Sequence, residues 1–359
     1  MSDFIAQNFN LIKLNLLPDF NTFGLPDFNK PLPQWPFNFD NHLLKDIIYP
    51  ISLNGYIALS ISITYFISVK IINQIILNRQ LKYFKENNDE KLKLPSNLNK
   101  LKPVPYKITN YKIFKIFVII HNIFLCIYSI WTFIGMTSTI HKISHILVPK
   151  LFKNLKSYDN FTGFELFWQG ICNNNYLEKN LWINYNDLNL KGLTFYSYLF
   201  YLSKYYEILD TIIILLKGKP SSLLQSYHHS GAILCMWSGT RFMSSPIWIF
   251  VVFNSFIHSL MYGYFTLSCF KIKVPKWFKQ SLTTLQILQF IIGGSLAVIH
   301  LFIQYYDHIN NKFNSCISTS SEAAAVYINV FYLTPLTLLF AAFYIDSYQK
   351  KKNIIKKNK

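Results

Sequence analysis

Long apolar runs without a charged residue constrain this chain more than any other feature. Several of these runs hold twenty or more residues, and about 20 helical residues are enough to cross the hydrocarbon core of a membrane. Only 14% of the 359 residues are charged and 51% are hydrophobic, whereas a soluble domain of this length normally carries more charge. The sequence therefore predicts an all-α, polytopic membrane protein.

The runs are numerous enough for seven membrane-spanning helices. We place these helices at about residues 47–69, 116–140, 192–216, 221–240, 246–270, 281–306 and 323–345. Residues 141–191 mix both signs of charge, and we expect a long non-cytoplasmic loop with a partly buried helix around Phe161 to Cys172. Residues 86–105 are polar and contain prolines, which is typical of a solvated loop.

Positive charge indicates how the helices are oriented. The net charge of +18 falls mainly between and after the apolar runs, and residues 70–115 hold eleven Lys and Arg against three acidic residues. Because basic loops stay in the cytoplasm, this segment and the C-terminal tail are predicted to be cytoplasmic, and we do not expect nucleic acid as a partner. A seven-helix domain (47–345) then lies between a non-cytoplasmic N-terminal segment (1–46) and a basic cytosolic tail (346–359).

Two further features bear on targeting. Residues 1–41 contain five prolines and lack a basic region followed by an apolar one, so the first helix is expected to act as the targeting signal. Lys356 and Lys357 are fourth and third from the end, which resembles a dilysine signal for return to the endoplasmic reticulum. We therefore expect residence in that membrane, while a solvated basic tail is the simpler interpretation of the same lysines.

The five cysteines contain no CxxC pair, so a cysteine zinc site is not expected. The predicted topology places Cys172 and Cys316 in non-cytoplasmic loops, where the oxidising lumen permits disulfides. We therefore predict a Cys172–Cys316 bridge. Asn160 begins a glycosylation sequon on the same side of the membrane.

Two consecutive predicted helices, joined by a short basic turn, carry polar residues on one face. Residues three or four apart share a side of a helix, as do Lys204, Glu207, Asp210 and Thr211 in the third helix, and Gln225, His228 and His229 in the fourth. A charge in mid-membrane costs about 2.5–3.5 kcal/mol on insertion scales. Two such faces in succession predict a catalytic site inside the membrane.

The fifth and sixth predicted helices have the same kind of face. Their polar and aromatic residues, again three or four apart, are Asn254, His258, Met261, Tyr262 and Phe265, and Thr283, Gln286, Gln289 and Phe290. Polar residues also bridge membrane helices in ordinary packing, and for Gln286 and Gln289 alone that explanation is the stronger one. Four such helices in a row favour one shared polar channel.

In this order, the motifs resemble those of the ELO family of fatty acid elongases, which are membrane 3-oxoacyl-CoA synthases. The motifs are Lys204-x-x-Glu207-x-x-Asp210-Thr211, Gln225-x-x-His228-His229, Asn254-x-x-x-His258-x-x-Met261-Tyr262-x-Tyr264 and Thr284-x-Gln286-x-x-Gln289-Phe290. The chain departs from the family pattern at Gln225, where a His is usual, and at Phe265, where a Tyr is usual.

The resemblance implies condensation of a long-chain acyl-CoA with malonyl-CoA to give a 3-oxoacyl-CoA, CO₂ and CoA, without a further cofactor. It also implies that six of the seven helices enclose a narrow acyl-chain tunnel, with the first helix outside. The expected partners are membrane lipid and the ketoacyl-CoA reductase, dehydratase and enoyl reductase of the elongation cycle, and a homodimer is left open.

The resemblance also implies roles for individual residues. His228 is expected to take the acyl group as an acyl-imidazole, His258 to face it, and Asp210 and His229 to orient or balance the imidazoles. Gln225 is expected to supply a hydrogen bond in the same site. The residues expected to bind substrate are Lys204, Glu207, Asn254, Met261, Tyr262, Gln286, Gln289, and, for the CoA phosphates, Lys217 and Lys219. The two lysines of the turn fit a cytoplasmic flank equally well.

Alternatives remain open. Cys235 lies seven residues after His228, about 10.5 Å along the same helix face, and is a rival nucleophile. A di-iron desaturase or hydroxylase is suggested by His228-His229 and by His141-x-x-x-His145, although such cages need about eight histidines in several boxes and the chain has nine in all. A non-enzymatic lipid transporter is the third hypothesis.

Overall fold

Helices dominate the computed structural model, which describes residues 11–87, 101–152, 161–172, 192–307 and 310–349. The longer helices are α1 (Gly55–Glu86), α2 (Lys112–Lys142), α3 (Gly163–Cys172), α4 (Leu193–Tyr206), α5 (Ile208–Leu216), α6 (Leu223–Arg241), α7 (Ile247–Cys269), α8 (Lys276–Ile299) and α9 (Ser320–Tyr344). Short helical turns occupy Tyr49–Ser52 and Val148–Phe152.

Five helices in the described part of the chain are long and apolar enough to cross a membrane, namely α1, α2 with its continuation to Lys150, α7, α8 and α9 with its continuation to Gln349. The protein is therefore a polytopic membrane protein. The third predicted span is divided into α4 and α5 by a break at Glu207, so neither half has the length of a span. The fourth, α6, has 19 residues but carries Gln225, His228 and His229 in its first two turns.

Several predicted boundaries were wrong. The first long helix begins at Gly55 and continues to Glu86, past the predicted end of the span at residue 69 and up to the start of the predicted loop. Of the predicted solvated loop, residues 88–100 lie outside the described residues. The sixth helix ends at Ile299, and the last residues of that predicted span form a strand, because alternate side chains from Ile303 to Asp307 are buried.

The prediction of an all-α fold is confirmed only in part: the fold is mostly helical, but three short strands form an antiparallel sheet in the order β1-β2-β3. The strands are β1 (Ile12–Leu14), β2 (Ile303–Asp307) and β3 (Lys312–Ser315). Ile12 pairs with Tyr305, and Tyr306 pairs with Phe313. The sheet thereby joins the N-terminal segment to the connection between α8 and α9, two regions that no local sequence pattern relates.

A disulfide between Cys172 and Cys316 attaches α3 to the segment before α9, as predicted. Both cysteines are buried beside Trp168 and Tyr305 in one apolar cluster under the sheet. The predicted helix around residues 161–172 is confirmed as α3, whose last five residues are buried. Asn160 lies outside the described residues.

Six helices contact one another in a closed series: α2 packs on α7, α7 on α8, α8 on α9, α9 on α6, α6 on α4, and α4 on α2. The most extensive of these contacts is between α2 and α7. The first long helix, α1, packs mainly on α6, where the Ser62 hydroxyl donates a hydrogen bond to the Ser230 carbonyl. The polar faces of α4, α6 and α7 are brought together by this arrangement.

The N-terminal segment covers one end of the helices. The Arg241 guanidinium, at the end of α6, donates hydrogen bonds to the carbonyls of Phe28, Lys30 and Pro31. The Trp35 and Phe37 rings pack on one another and on Tyr49 and Phe195, respectively. This end also carries the sheet, since β1 belongs to the same segment.

Candidate active site

The break between α4 and α5 places a buried ion pair at the centre of the helices. Lys204 Nζ lies 2.7 Å from Glu207 Oε1, and both side chains are 3% exposed. Lys204 Nζ also donates to Asn254 Oδ1 on α7 at 2.9 Å and lies 3.9 Å from the centre of the Phe200 ring. Because an isolated buried charge is costly, these contacts stabilise the ammonium in its buried position.

Two histidines from different helices face each other near this ion pair. His258 on α7 places Nδ1 3.7 Å from Glu207 Oε1, and its ring centroid lies 6.3 Å from that of His228 on α6. The two imidazoles are inclined by 68°. Residues that the sequence placed on three separate helix faces therefore meet at one point.

His228 is hydrogen-bonded to a tyrosine that the sequence analysis did not select. Its Nδ1 lies 2.7 Å from the Tyr332 hydroxyl of α9, and the same hydroxyl lies 3.0 Å from the His228 carbonyl oxygen. A single side chain thus contacts both the imidazole and the backbone of one residue.

His229 has a different partner. Gln225, one turn earlier in α6, places Nε2 2.8 Å from His229 Nε2. Nδ1 of His229 is buried without a hydrogen-bond partner among the described residues. The predicted contact of Gln225 with an imidazole is therefore present, and the imidazole is that of His229.

Asp210 on α5 is held by residues from two other helices. Oδ1 lies 2.8 Å from His121 Nε2 on α2, and Oδ2 accepts a hydrogen bond from the Tyr262 hydroxyl on α7 at 2.5 Å. His121 Nδ1 in turn lies 3.3 Å from the Tyr206 hydroxyl. Asp210 was expected to orient or balance the imidazoles of the site, and the imidazole that it contacts is that of His121.

A cavity with an empty volume of about 490 Å³ opens beside His228. Its polar lining consists of Lys204, His228, Asn254, Gln289 and Asn329, and its apolar lining includes Phe200, Met236, Phe250, Phe253 and Phe290. A second cavity of about 210 Å³ shares Cys235, Met236, Phe250 and Asn329 with the first and extends to Gly239 and Pro246. The two cavities thus lie next to each other beside α6, and each has both polar and apolar lining residues.

The other predicted substrate-binding residues are divided between the interior and the surface. Gln289 lines the cavity, and its Oε1 is buried without a partner among the described residues. Gln286 Nε2 lies 3.8 Å from Met261 Sδ, so these two residues contact each other. Lys217 and Lys219 are exposed in the turn between α5 and α6.

That turn is fixed to its neighbours. Gly218 has φ of 69°, which favours glycine, and an added Cβ would overlap the Val104 backbone. Its carbonyl accepts a hydrogen bond from Gln80 at 3.0 Å. Lys217 and Lys219 are consequently held near the N-terminus of α6.

Two alternatives from the sequence can now be located. Cys235 lines both cavities, so the rival nucleophile belongs to the same space as His228. His141 and His145 line a separate cavity near Trp248, with ring centroids 4.5 Å apart. Within the described residues, no group of three or more His, Cys, Asp or Glu side chains is placed to hold a metal ion.

Sequence reasoning missed His121 and Tyr332. His121 could have been selected, because it is an ionisable residue in the interior of a predicted span and such residues are usually functional or paired. Tyr332 carried no such signal, since the chain has 24 tyrosines and many of them lie in apolar runs.

A profile of the ELO: GNS1/SUR4 family matches residues 50–356. Among curated proteins, Fatty acid elongase A of Dictyostelium discoideum is 29% identical over 242 residues, 67% of this chain and 75% of that protein. Long chain fatty acid elongase 1 of Caenorhabditis elegans is 33% identical over 154 residues, 43% of this chain and 51% of that protein. For Very long chain fatty acid elongase 6 of Drosophila melanogaster the identity is 32% over 151 residues, 42% of each protein. The chain thus spans about half the length of the last two. No solved structure matches the chain.

Proposed function

The chain belongs to the ELO (GNS1/SUR4) family of fatty acid elongases, and from this membership we propose that it catalyses the condensing step of elongation. The reaction joins a long-chain acyl-CoA to malonyl-CoA and gives a 3-oxoacyl-CoA, CO₂ and CoA. The observation that carries the proposal is that His228 lines a cavity with both polar and apolar walls, next to a second, smaller cavity that shares four of its lining residues. An acyl thioester has the same two parts, because its reactive carbonyl is polar and its chain is not.

In this proposal, seven segments cross the membrane, with α4 and α5 together as one segment and α6 as another. The closed series of contacts from α2 through α7, α8, α9, α6 and α4 encloses the acyl-chain tunnel, and α1 lies outside it. From His228 to Gly239, α6 rises about 16.5 Å at 1.5 Å per residue, and we propose that the acyl chain lies along this part of the helix.

The chemistry proceeds in two steps on His228. In the first, an imidazole nitrogen attacks the thioester carbonyl carbon, the C–S bond breaks, and the CoA thiolate leaves with the electron pair. In the second, malonyl-CoA loses CO₂, the resulting enolate carbon attacks the acyl carbon, and the electron pair of the N–C bond returns to the imidazole. The CoA thiolate released in the first step takes up one proton and leaves as the free thiol, so that the reaction balances.

Neighbouring groups support these steps. Lys204 and His258 bring positive charge or hydrogen-bond donors near the enolate or the malonyl carboxylate. Asn254 accepts from Lys204 through Oδ1, so its amide N–H groups are donors for an oxyanion. Asp210 acts indirectly, since it holds Tyr262 one turn from His258. Lys217 and Lys219, exposed at the start of α6, bind the CoA phosphates.

We place the enzyme in the membrane of the endoplasmic reticulum with the basic tail in the cytosol. The exposed lysines between α5 and α6 lie, in this orientation, on the side where acyl-CoA and malonyl-CoA are dissolved. The product would pass to the ketoacyl-CoA reductase, dehydratase and enoyl reductase of the cycle. A C-terminal tag that proteases remove from sealed microsomes supports this orientation, and a protected tag contradicts it.

The decisive variant is His228→Ala. We expect it to abolish condensation, and we expect the wild-type protein incubated with acyl-CoA alone to carry an acyl mass on the peptide that contains His228. Cys235→Ser is the matched control, since it alters a side chain of the same cavity and is expected to remain active. An acyl group on Cys235, or an inactive Cys235→Ser beside an active His228→Ala, would falsify the assignment.

A further inference from the structure

The hydroxyl of Tyr332 makes two contacts with His228, and the two contacts constrain each other. The hydroxyl oxygen lies 2.7 Å from the imidazole Nδ1 and 3.0 Å from the backbone carbonyl oxygen of the same residue. A tyrosine hydroxyl has one hydrogen to donate, whereas a carbonyl oxygen can only accept. Which of the two atoms receives that hydrogen therefore decides the protonation of the imidazole.

Only one assignment turns both contacts into hydrogen bonds. The hydroxyl donates to the carbonyl oxygen, and the imidazole Nδ1–H donates to the hydroxyl oxygen. The opposite assignment would leave the lone pairs of the hydroxyl and of the carbonyl facing each other at 3.0 Å, which is unfavourable in a site of low polarity. Neutral His228 then carries its proton on Nδ1 and its lone pair on Nε2.

We propose that Tyr332 is a positioning residue that fixes the tautomer of His228 and thereby makes Nε2 the nitrogen that is acylated. This inference rests on the function proposed above, in which His228 receives the acyl group. It adds which atom reacts and which side chain selects that atom.

The surroundings of Tyr332 hold its ring in place. Gly231 lies against the ring, and an added Cβ at that position would overlap it. The Tyr227 ring is also stacked on it, with centroids 5.6 Å apart and an angle of 23°, and the Tyr227 hydroxyl donates to the Tyr332 carbonyl at 3.3 Å. Two residues of α6 therefore pack against the ring whose hydroxyl contacts His228.

The hydrogen bond between His228 Nδ1–H and the Tyr332 hydroxyl also stabilises the positively charged acyl-imidazole intermediate. When Nε2 attacks the acyl carbon and the thiolate departs, the imidazole becomes positively charged and still carries its Nδ1–H. The hydroxyl oxygen of Tyr332 accepts that stronger hydrogen bond without movement, in the role that a third group has in a catalytic triad. When the N–C bond breaks, the electron pair returns to Nε2 and the neutral tautomer is restored.

Tyr332→Phe tests the inference, with Tyr227→Phe as the matched control. The first variant removes the hydroxyl that contacts His228, and the second removes a hydroxyl from the same stacked pair without touching the imidazole. We expect the rate of acyl transfer to His228 to fall about 5- to 150-fold in Tyr332→Phe, with KM for both substrates little changed. Tyr227→Phe should stay close to the wild type.

A spectroscopic measurement on the wild-type protein tests the tautomer directly, and a variant is needed only to assign the resonances. In wild-type protein labelled with ¹⁵N-histidine, the resonances that disappear in His228→Asn should show a protonated Nδ1 and an unprotonated Nε2. A protonated Nε2 in the wild type, or an unchanged acylation rate in Tyr332→Phe, overturns the inference. If wild-type protein forms no acyl adduct on His228, the proposed function has failed instead, so the two failures are distinguishable.

Discussion

Two groups of polar side chains lie wholly or partly buried among the helices, and they differ in how completely their atoms are paired. The cavity cluster comprises four residues that line the cavity, Lys204, Asn254, His228 and Gln289, together with Glu207, which pairs with Lys204. The carboxylate cluster comprises Asp210, His121 and Tyr262, with the exposed Tyr206 at its edge. In the cavity cluster, Glu207 Oε2 and Gln289 Oε1 are buried without partners among the described residues. In the carboxylate cluster, both oxygens of Asp210 and both ring nitrogens of His121 have partners.

From this difference we infer that the cavity cluster binds a ligand, whereas the carboxylate cluster holds the helices together. A buried polar atom without a partner costs about 1–3 kcal/mol, and for Gln289 Oε1, which lies in the cavity wall, we infer that a bound substrate supplies the missing hydrogen bond. A paired group contributes to packing and does not need a substrate to complete its hydrogen bonds. The comparison therefore predicts that variants of the two clusters will fail in different ways.

The largest effect is expected for Asp210→Ala. The change leaves His121 Nε2–H and the Tyr262 hydroxyl buried without an acceptor, which should lower the free energy of unfolding by about 2–5 kcal/mol. Thermal unfolding of the purified protein in detergent measures the loss. An Asp210→Ala protein that is fully stable yet inactive would contradict this assignment, because it would show that Asp210 takes part in the reaction rather than in helix packing.

Gln225→Leu should have an intermediate effect. Gln225 contacts His229 in the histidine motif, and leucine is similar in size but cannot form that hydrogen bond. Turnover should fall about 5- to 150-fold, whereas Gln225→His, which can still form a hydrogen bond, should keep substantial activity. Steady-state rates of the two variants at equal protein concentration test this. Equal turnover in Gln225→Leu and the wild type would show that the residue serves only packing.

The smallest effect is expected for Gln289→Leu. The Oε1 atom has no partner among the described residues, so its removal should leave the unfolding temperature unchanged or slightly raised. The missing contact should instead raise KM for one of the substrates about two- to tenfold. Initial rates over a range of acyl-CoA and malonyl-CoA concentrations measure the change. A destabilised variant with an unchanged KM would show that Gln289 stabilises the helices, as the carboxylate cluster does, and does not bind substrate.

Much of the site could be predicted because its residues repeat at helical spacing. Lys204 with Glu207, and Gln225 with His229, are three or four residues apart, so their contacts follow from the geometry of one helix. The convergence of His228 and His258 followed from the order of four polar faces and from the resemblance those motifs carry. The sheet was missed because β1 is three residues long and its partner strand is in a distant part of the chain.

What the sequence by itself determined is the membrane-spanning character of the chain, the polar faces of four helices and the pairing of Cys172 with Cys316. These properties depend on local spacing, charge and hydropathy. The partners across helices were decided only by the tertiary structure: Tyr332 lies 104 residues from His228, and His121 lies 89 residues from Asp210. A helical period specifies which side chains point inward, but it does not specify which helix stands opposite. That choice arises from the packing of all the helices together, and it selects the hydrogen-bond partner of the reactive imidazole.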